Sequence, residues 1–440
     1  MKKNILTSIL LSFTSFLGFS QSLDKEKLNS YFDALEKSNR FMGSVAVSRN
    51  GEVIFTRSVG FADVETKTKA NEKSRYRIGS ITKTFTATLV MIGVENKKIL
   101  LDQTLDNYFP DIKNAAKISI RNLLNHRSGI HNITDDASYL GYHTQPKTQT
   151  ELLDLITKAG SDFEPDSKMA YSNSNYILLT FILEKSFGKP YHELLKEYIT
   201  KPIGLADTYV GSKINLQNKE TSSYTSGENW MKSTETDPAI PLGAGFIVST
   251  ATDLVKFLDA LFAGKVLKAE SLEQMKTLKD NFGFGLFQMP FYNKKGFGHN
   301  GGIDGFSSVA MHFPGDGVSY ALTSNGTKVN NNDISIAVLS AVFNKPYSIP
   351  EFKKALELNS EDLDKYLGVY SSAAIPLKVT ITKKDRTLMG QATGQGAIPL
   401  EATEKDKFSF SQAGVVLEFN PSEKTMLLKQ GGGEYKFSKD

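Results

Sequence analysis

The chain contains no cysteine. It can therefore form no disulfide, thiolate nucleophile or cysteine metal site, and it has no N-terminal cysteine that could carry a lipid. Neither sign of charge dominates, since 52 Lys+Arg against 48 Asp+Glu give a formal net charge of +4. The charges are mixed along the chain and leave no basic stripe for phosphates, so we expect no nucleic-acid partner.

Two common catalytic motifs are also absent from the sequence. No Gly-x-Ser-x-Gly occurs, which removes the nucleophile elbow of the α/β-hydrolases. No glycine-rich phosphate loop followed by lysine occurs either. We expect no cofactor.

What is present has the composition of a globular protein. The chain has 440 residues, of which 40% are hydrophobic. At roughly 100 to 200 residues per domain, this length predicts two domains, or one large catalytic domain with an appendage.

The first twenty residues have the pattern of a secretory signal. Lys2 and Lys3 precede an apolar run at 5–17, and Gly18 and Ser20 place small residues at −3 and −1 of a cleavage site after Ser20. The alternative is a membrane anchor, but the run is shorter than the ~20 residues that span a bilayer. No later segment is long and apolar enough to do so. We therefore expect a secreted or periplasmic protein with no stable membrane anchor after cleavage.

The central part of the chain alternates strand and helix signals. Asn50-Gly51 between two apolar-rich runs predicts a hairpin over 43–60. The segment 80–94 is helical and almost wholly apolar on its later turns, so this helix belongs inside a domain. Strands at both ends with helices between them favour an α+β domain, whose one sheet is assembled from distant segments. Further strands are predicted at 306–313 and 318–325, and further helices at 175–186, 191–199 and 251–263.

The character of the chain changes near residue 345. Pro346, Pro350 and a charged helical stretch at 351–357 predict a linker over 346–360. Residues 361–440 predict a small all-β domain of the kind that can close into a barrel. Its clearest strand signals lie at 377–382, 387–391, 415–419 and 426–429.

Three Ser-x-x-Lys matches occur, beginning at Ser22, Ser80 and Ser186, and about that many arise by chance. Context separates them, because only the match at Ser80 opens a buried helix directly after Gly79. Residues three apart on a helix share a face, so Lys83 would lie beside the Ser80 hydroxyl. An apolar setting and the positive helix end both favour its neutral amine, which can take the serine proton.

Two distant segments can complete such a site. Tyr171-x-Asn173 is the only Tyr-x-Asn in the chain, and its tyrosine could relay the proton while its amide holds Lys83 and a substrate carbonyl. His299-x-Gly301 is the only His-x-Gly, and glycines there allow close backbone approach to a ligand. The N–H groups of Ser80 and Gly302 could then bind a developing oxyanion.

In this order, the three motifs resemble those of the β-lactamase-related serine hydrolases, which include class C β-lactamases, serine DD-carboxypeptidases, D-aminopeptidases and related esterases. The connecting segments are similar as well, namely LLNHRSGI (123–130), YSNSNY (171–176) and GHNGG (298–302). The resemblance covers roughly residues 30–345. It implies a β-lactamase/DD-peptidase-like domain at 21–345, with an antiparallel sheet and a helical region, after a signal peptide at 1–20. The all-β segment is loosely similar to accessory domains of D-aminopeptidase-like members.

The resemblance also implies roles for the motif residues. Ser80 would be the acylated nucleophile, with Lys83 and Tyr171 as the base pair. The substrate-binding positions would be Asn173, His299, Gly301 and Gly302. The third motif departs from class C β-lactamases, which carry Lys-Thr-Gly and so a permanent positive charge. With an ordinary pKa near 6.5, His299 would often be neutral.

These observations predict an exported serine hydrolase that forms an acyl-enzyme with an ester or amide. A peptidase or esterase of the DD-carboxypeptidase or D-aminopeptidase type ranks first, acting on a small-molecule or peptide substrate that can contain D-amino acids. The alternatives are a true class C-like β-lactamase and a non-catalytic cell-wall or peptide binder. His126 and His131 could be taken for a metal pair, but no His-Glu-x-x-His pattern accompanies them and we expect no metal.

Overall fold

A six-stranded sheet, counted over the described part of the chain, joins segments from both ends of the N-terminal region. The computed structural model describes residues 23–227, 229–352, 356 and 358–440. The strand order is β10-β11-β12-β13-β1-β2, and every neighbouring pair is antiparallel. The bounds are β1 (Phe41–Arg49), β2 (Glu52–Val59), β3 (Phe61–Asp63), β4 (Thr68–Lys69), β5 (Tyr76–Arg77), β6 (Tyr209–Val210), β7 (Tyr224–Thr225), β8 (Met231–Lys232), β9 (Ile247–Ser249), β10 (Phe287–Gln288), β11 (Phe297–Ile303), β12 (Phe306–Phe313) and β13 (Val318–Thr327).

The predicted hairpin is formed by β1 and β2. Asn50 and Gly51 at its turn have φ of 53° and 84°, the left-handed pair that a two-residue hairpin requires. The pairing of β1 with β13 then joins this hairpin to a strand far along the chain, with Phe41 opposite Thr327 and Arg49 opposite Val318. The prediction of an α+β domain with one sheet from distant segments is confirmed.

Helices cover both faces of the sheet. On one face, α1 and α10 share a core with the larger strand side chains, including Val45, Tyr320 and Phe313. On the other, Ala46, Ala321 and Ala310 form a row across three strands, and these small side chains let α8 lie close. The helices are α1 (Lys25–Lys37), α2 (Thr82–Glu95), α3 (Ile120–Leu124), α4 (Tyr139–Tyr142), α5 (Gln149–Ala159), α6 (Asn173–Phe187), α7 (Tyr191–Leu195), α8 (Ala251–Phe262), α9 (Ala269–Lys276) and α10 (Asn331–Val342).

Helix α2 is the central helix of the larger core. Every residue from Thr82 to Gly93 is buried, as the apolar sequence predicts. The helical signal at 80–94 begins in the structure as a 3-10 turn, Gly79–Ile81, which leads into α2. The predicted helix at 191–199 is also divided, because α7 passes into a π turn at Lys196–Thr200.

The C-terminal strands close into an eight-stranded barrel within the range 358–440. Its interior is filled by Tyr366, Phe408, Phe419 and other buried apolar side chains. The four strands predicted in the C-terminal part of the sequence correspond to β15, β16, β19 and β20. Sequence reasoning did not single out β14, β17, β18 or β21. The bounds are β14 (Gly368–Ser371), β15 (Lys378–Lys384), β16 (Thr387–Ala392), β17 (Ile398–Glu404), β18 (Lys407–Phe410), β19 (Val415–Asn420), β20 (Thr425–Gln430) and β21 (Gly433–Lys439).

The barrel contacts the first domain through charged and polar side chains. Arg40 donates two hydrogen bonds to the carboxylate of Glu401, and Gln412 donates to Ser226 at 3.1 Å. The domain limits 21–345, 346–360 and 361–440 stay predictions. The predicted signal at 1–20 and most of the charged stretch at 351–357 lie outside the described residues. Across the described residues, helices that could cross a membrane are absent.

Candidate active site

Ser80 and Lys83 lie on one face of the segment that opens α2. Gly79, in the left-handed region at φ of 52°, turns the chain into the 3-10 turn that carries Ser80. The Nζ of Lys83 lies 3.0 Å from the Oγ of Ser80. Lys83 is 0% exposed, whereas Ser80 is only partly buried and can meet a substrate.

Three neutral oxygens surround the Lys83 amine. Its Nζ lies 3.0 Å from Oγ of Ser80 and 2.7 Å from both Oδ1 of Asn173 and the carbonyl oxygen of Ala244, so a neutral amine can donate its two hydrogens to the two carbonyl oxygens and turn its lone pair to the hydroxyl. Burial lowers the pKa of Lys83 well below its usual value of 10.5. The amine is therefore set up to accept a proton from the neighbouring hydroxyl.

Tyr171 lies above Lys83, with Nζ 4.8 Å from the centre of the tyrosine ring. Burial raises the pKa of Tyr171 above its usual value of 10, and a hydrogen bond with Ser80 opposes that rise. The phenol consequently keeps its proton at neutral pH. In the free site, these two pKa shifts leave Lys83 as the candidate base and Tyr171 as the candidate hydroxyl donor.

Asn173 is the first residue of α6, and the loop that contains Asn132 and Thr134 fixes its side chain. Its backbone N–H donates to Oδ1 of Asn132 and its Nδ2 donates to Oγ1 of Thr134, both at 2.9 Å. With the amide nitrogen engaged in this way, Oδ1 is left to accept from Lys83.

The third motif runs along β11 against the turn that carries Ser80. A Cβ at Gly301 would lie 2.0 Å from the carbonyl oxygen of Ile78, and one at Gly79 would lie 2.6 Å from the amide nitrogen of Gly302. Only glycine allows these two backbones to approach so closely. Gly302 itself is exposed. The turn that carries Ser80 and the backbone of Gly301 and Gly302 are thus in direct contact.

His299 is a neutral residue in this setting. Its Nδ1 donates to the carbonyl of Asn300 at 2.5 Å, and its ring packs edge-on to Phe287. Burial lowers the pKa of His299 to about 3. With this lowered pKa, the third motif brings no positive charge near neutral pH.

The other two Ser-x-x-Lys matches are not part of this site. Ser22 lies outside the described residues. Ser186 lies in the last turn of α6, whose end at Phe187 places Lys189 beyond the helix. There Lys189 forms an ion pair with Glu197 at 2.5 Å.

Sequence reasoning missed the residues that position the motifs. The Ala244 carbonyl belongs to a 3-10 turn, Leu242–Ala244, and a backbone acceptor has no residue-type signature. His126 packs its ring 4.4 Å from that of Tyr171, and its Nδ1 accepts from the N–H of Ser172. The LLNHRSGI segment did point to His126, but it indicated only that this residue orders a loop, not that it contacts Tyr171.

His126 and His131, the two histidines that could be taken for a metal pair, have separate partners. Groups of three or more His, Asp or Glu side chains able to hold a metal are absent from the described residues. His126 is stacked on Tyr171, and His131 binds carboxylates at both ring nitrogens. These two histidines are therefore used separately.

A buried lysine beside a serine, with a glycine-containing strand whose backbone lies against the serine turn, is an arrangement found in serine hydrolases. The sequence model of the beta-lactamase family matches residues 28–343. The chain belongs to the beta-lactamase family, and it is a serine hydrolase.

Known relatives are similar over most of the chain. Penicillin-binding protein 4* of Bacillus subtilis is 26% identical over 93% of this chain and 97% of its own, a span that includes the barrel. Teichoic acid D-alanine hydrolase of Staphylococcus aureus is 25% identical over 72% of this chain and 78% of its own. The solved D-amino acid amidase from Ochrobactrum anthropi SV3 is 29% identical, with a TM-score of 0.64, and covers 72% of this chain and 99% of its own.

Proposed function

We propose that this protein hydrolyses amides or esters of D-amino acids through an acyl-enzyme on Ser80. The observation that carries the proposal is the 3.0 Å contact between Ser80 Oγ and the fully buried amine of Lys83. An uncharged amine at hydrogen-bond distance is the activation that a serine nucleophile needs at neutral pH.

The proton moves along the lysine and the tyrosine. As Ser80 Oγ attacks the substrate carbonyl, the neutral Lys83 takes the hydroxyl proton. Tyr171 is protonated in the free site. It passes this proton to the departing amine or alkoxide and receives another from Lys83. Water then attacks the ester on Ser80 by the same route in reverse, releasing the acid and restoring the free hydroxyl.

The oxyanion and the substrate are held by neutral donors. The N–H groups of Ser80 and Gly302 border the space in which the carbonyl oxygen becomes negative, and such preorganised donors stabilise that charge. Asn173 fixes the lysine through Oδ1, and its Nδ2, which uses one hydrogen on Thr134, has a second hydrogen for a substrate carbonyl. Its own hydrogen bonds to Asn132 and Thr134 keep that orientation.

The neutral third motif favours substrates that lack a carboxylate beside the scissile bond. The pKa of His299, lowered to about 3, leaves no cation there to pair with the carboxylate of a penicillin or of a peptide C-terminus. The names of two relatives, a D-amino acid amidase and a teichoic acid D-alanine hydrolase, agree with a D-aminoacyl amide or ester, which has no free carboxylate. We further propose export, on the signal pattern of residues 1–20.

A substrate panel with a matched variant tests the proposal. The chain without residues 1–20 is mixed with D- and L-phenylalanine amide, a D-alanine ester and benzylpenicillin, with Ser80→Ala as control. We expect turnover of the D-amide or the ester by the unaltered chain and none by the variant. Intact mass should show an adduct of the acyl group on Ser80 alone.

The other outcomes identify the other functions. Rapid loss of benzylpenicillin without a lasting adduct would make the protein a β-lactamase. Ligand affinity that survives in Ser80→Ala, with neither adduct nor turnover in the unaltered chain, would make it a non-catalytic binder. Hydrolysis of the best substrate by Ser80→Ala would refute the acyl-enzyme.

A further inference from the structure

The loop at residues 131–136 holds the second motif in place. Besides the hydrogen bonds that Asn173 donates to Asn132 and Thr134, the carbonyl of His131 accepts one from the hydroxyl of Ser174 at 2.7 Å. The Ser174 hydroxyl in turn accepts the N–H of Ile133 at 3.2 Å. The backbone of this loop and the first turn of α6 therefore move together.

The ring of His131 connects this loop to two carboxylates. Its Nδ1 lies 2.9 and 3.1 Å from the two oxygens of Asp162, and its Nε2 lies 3.2 Å from Oδ1 of Asp136. Asp162 follows α5, whereas Asp136 belongs to the loop itself. A carboxylate only accepts hydrogen bonds, so both ring nitrogens must carry a proton for both contacts to exist.

The electrostatic surroundings agree with an imidazolium. The hydrogen bond with Asp162 is the largest cause that raises the pKa of His131 above 6.5; burial opposes it, and Asp136 adds a smaller contribution that raises the pKa. The first turn of α6 brings only neutral hydroxyls and the Asn173 amide to this loop. Within the described residues, Asp162 and Asp136 are thus the charged groups that face the ring.

We propose that His131 is a positioning residue, whose doubly hydrogen-bonded ring ties the 131–136 loop to Asp162 and so holds Asn173 against Lys83. The inference deepens the proposed function and rests on it, because it concerns the placement of the Lys83 amine. Loss of one ring proton would leave a bare nitrogen lone pair facing a carboxylate. The loop would loosen, and the Asn173–Lys83 contact would lose its alignment.

The sign of the pH effect follows from the direction of the pKa. A raised pKa keeps His131 charged at neutral pH, and the charge disappears as the pH rises through that value. The inference therefore predicts a fall in kcat on the alkaline side of the profile. Lys83 acts in the opposite sense, because its neutral form is favoured as the pH rises.

The experiment compares His131→Gln and Asp162→Asn with His143→Gln, in which the altered histidine lies partly exposed at the C-terminal end of α4, outside the 131–136 loop. In the unaltered chain and in His143→Gln, the alkaline fall in kcat should be present. In Asp162→Asn it should move to lower pH, because the largest cause of the raised pKa is gone. In His131→Gln it should be absent, with kcat reduced about tenfold and KM little changed.

Nuclear magnetic resonance supplies a readout that needs no turnover. The side-chain amide signal of Asn173 should shift with the same midpoint as the ring of His131, and this shift should vanish in His131→Gln. A ring that titrates without moving the amide signal, or that does not titrate, would overturn the inference. Shared titration in a protein that turns over no substrate would instead refute the proposed function alone. Should His131→Gln not fold, Asp162→Asn decides by its shifted midpoint.

Discussion

The carbonyl oxygen of Ala244 lies 2.7 Å from Nζ of Lys83. This oxygen is presented by a turn whose Leu242 has φ of 43°, an uncommon value for a residue with a side chain. Two threonines bind this turn at Gly243. Thr86 donates to the carbonyl of Gly243 at 2.6 Å, and Thr180 accepts a hydrogen bond from the N–H of Gly243 at 3.0 Å. The turn is therefore a fixed part of the lysine's surroundings.

Gly243→Ala should impair catalysis without unfolding the protein. A Cβ at this position would lie 2.5 Å from Oγ1 of Thr180 and 2.8 Å from Oγ1 of Thr86, so the turn must move away from Lys83. We expect kcat to fall at least about tenfold, because misplaced catalytic groups lose rate steeply. Steady-state kinetics on the best amide or ester would measure this.

The matched control is Gly315→Ala. A Cβ at Gly315 meets nothing within 4 Å, in the turn between β12 and β13. Its kinetics should equal those of the unaltered chain. Equal kcat values for Gly243→Ala and Gly315→Ala would show that the Ala244 carbonyl has no part in placing the amine.

Much of this arrangement was accessible from sequence because side chains carry residue-type signals. Ser80 and Lys83 were paired by helical spacing, and Asn50-Gly51 predicted the hairpin that begins the sheet. The Ala244 carbonyl and the Asn132 contact carry no such signal, because the acceptors come from tertiary packing. The structure places the predicted motif residues together, whereas their catalytic roles stay predictions until the variants are measured.

The barrel was predicted only in part for a physical reason. Its recognised strands alternate apolar and polar residues, as in 377–382. The unrecognised β17 includes Pro399, and β21 follows Gly431 and Gly432, residues that ordinarily argue against a central strand. Closure into a barrel lets such segments pair on both sides despite their weak local preference.

Lys83→Met should remove both activity and a pH dependence of stability. The loss of a general base should reduce kcat at least about a hundredfold. Because the pKa of Lys83 is lowered in the folded protein, the unfolded chain binds a proton that the folded chain has released, from that lowered value up to 10.5. In this range the free energy of unfolding rises with pH.

Denaturant unfolding at several pH values would check this sign. The unaltered chain should gain stability relative to Lys83→Met as the pH rises through the range. Parallel curves for the two proteins would mean that Lys83 keeps its proton in the folded state, and the neutral-amine mechanism would fail.

His299→Lys should change substrate preference. The histidine is neutral, with its pKa lowered to about 3, and a lysine there would offer a cation to a substrate carboxylate. We expect the ratio of acylation rates, benzylpenicillin to D-phenylalanine amide, to rise about tenfold, which corresponds to ~1.4 kcal/mol. His299→Gln, which stays neutral, is the control and should leave the ratio unchanged. An unchanged ratio in His299→Lys would mean that the charge of the third motif does not determine substrate preference.

The contact between the barrel and the first domain should contribute measurably to stability. Arg40 is 13% exposed and binds Glu401 through both Nη atoms, a geometry that gives stronger coupling than a single surface contact. A double-mutant cycle with Arg40→Ala and Glu401→Ala, followed by thermal unfolding, should give a coupling energy of about 1 to 2 kcal/mol.

The pair Lys117–Glu164, 3.3 Å apart with both side chains about two-thirds exposed, is the control and should couple by less than about 0.5 kcal/mol. Equal coupling in the two cycles would mean that the Arg40–Glu401 contact does not bind the barrel to the first domain.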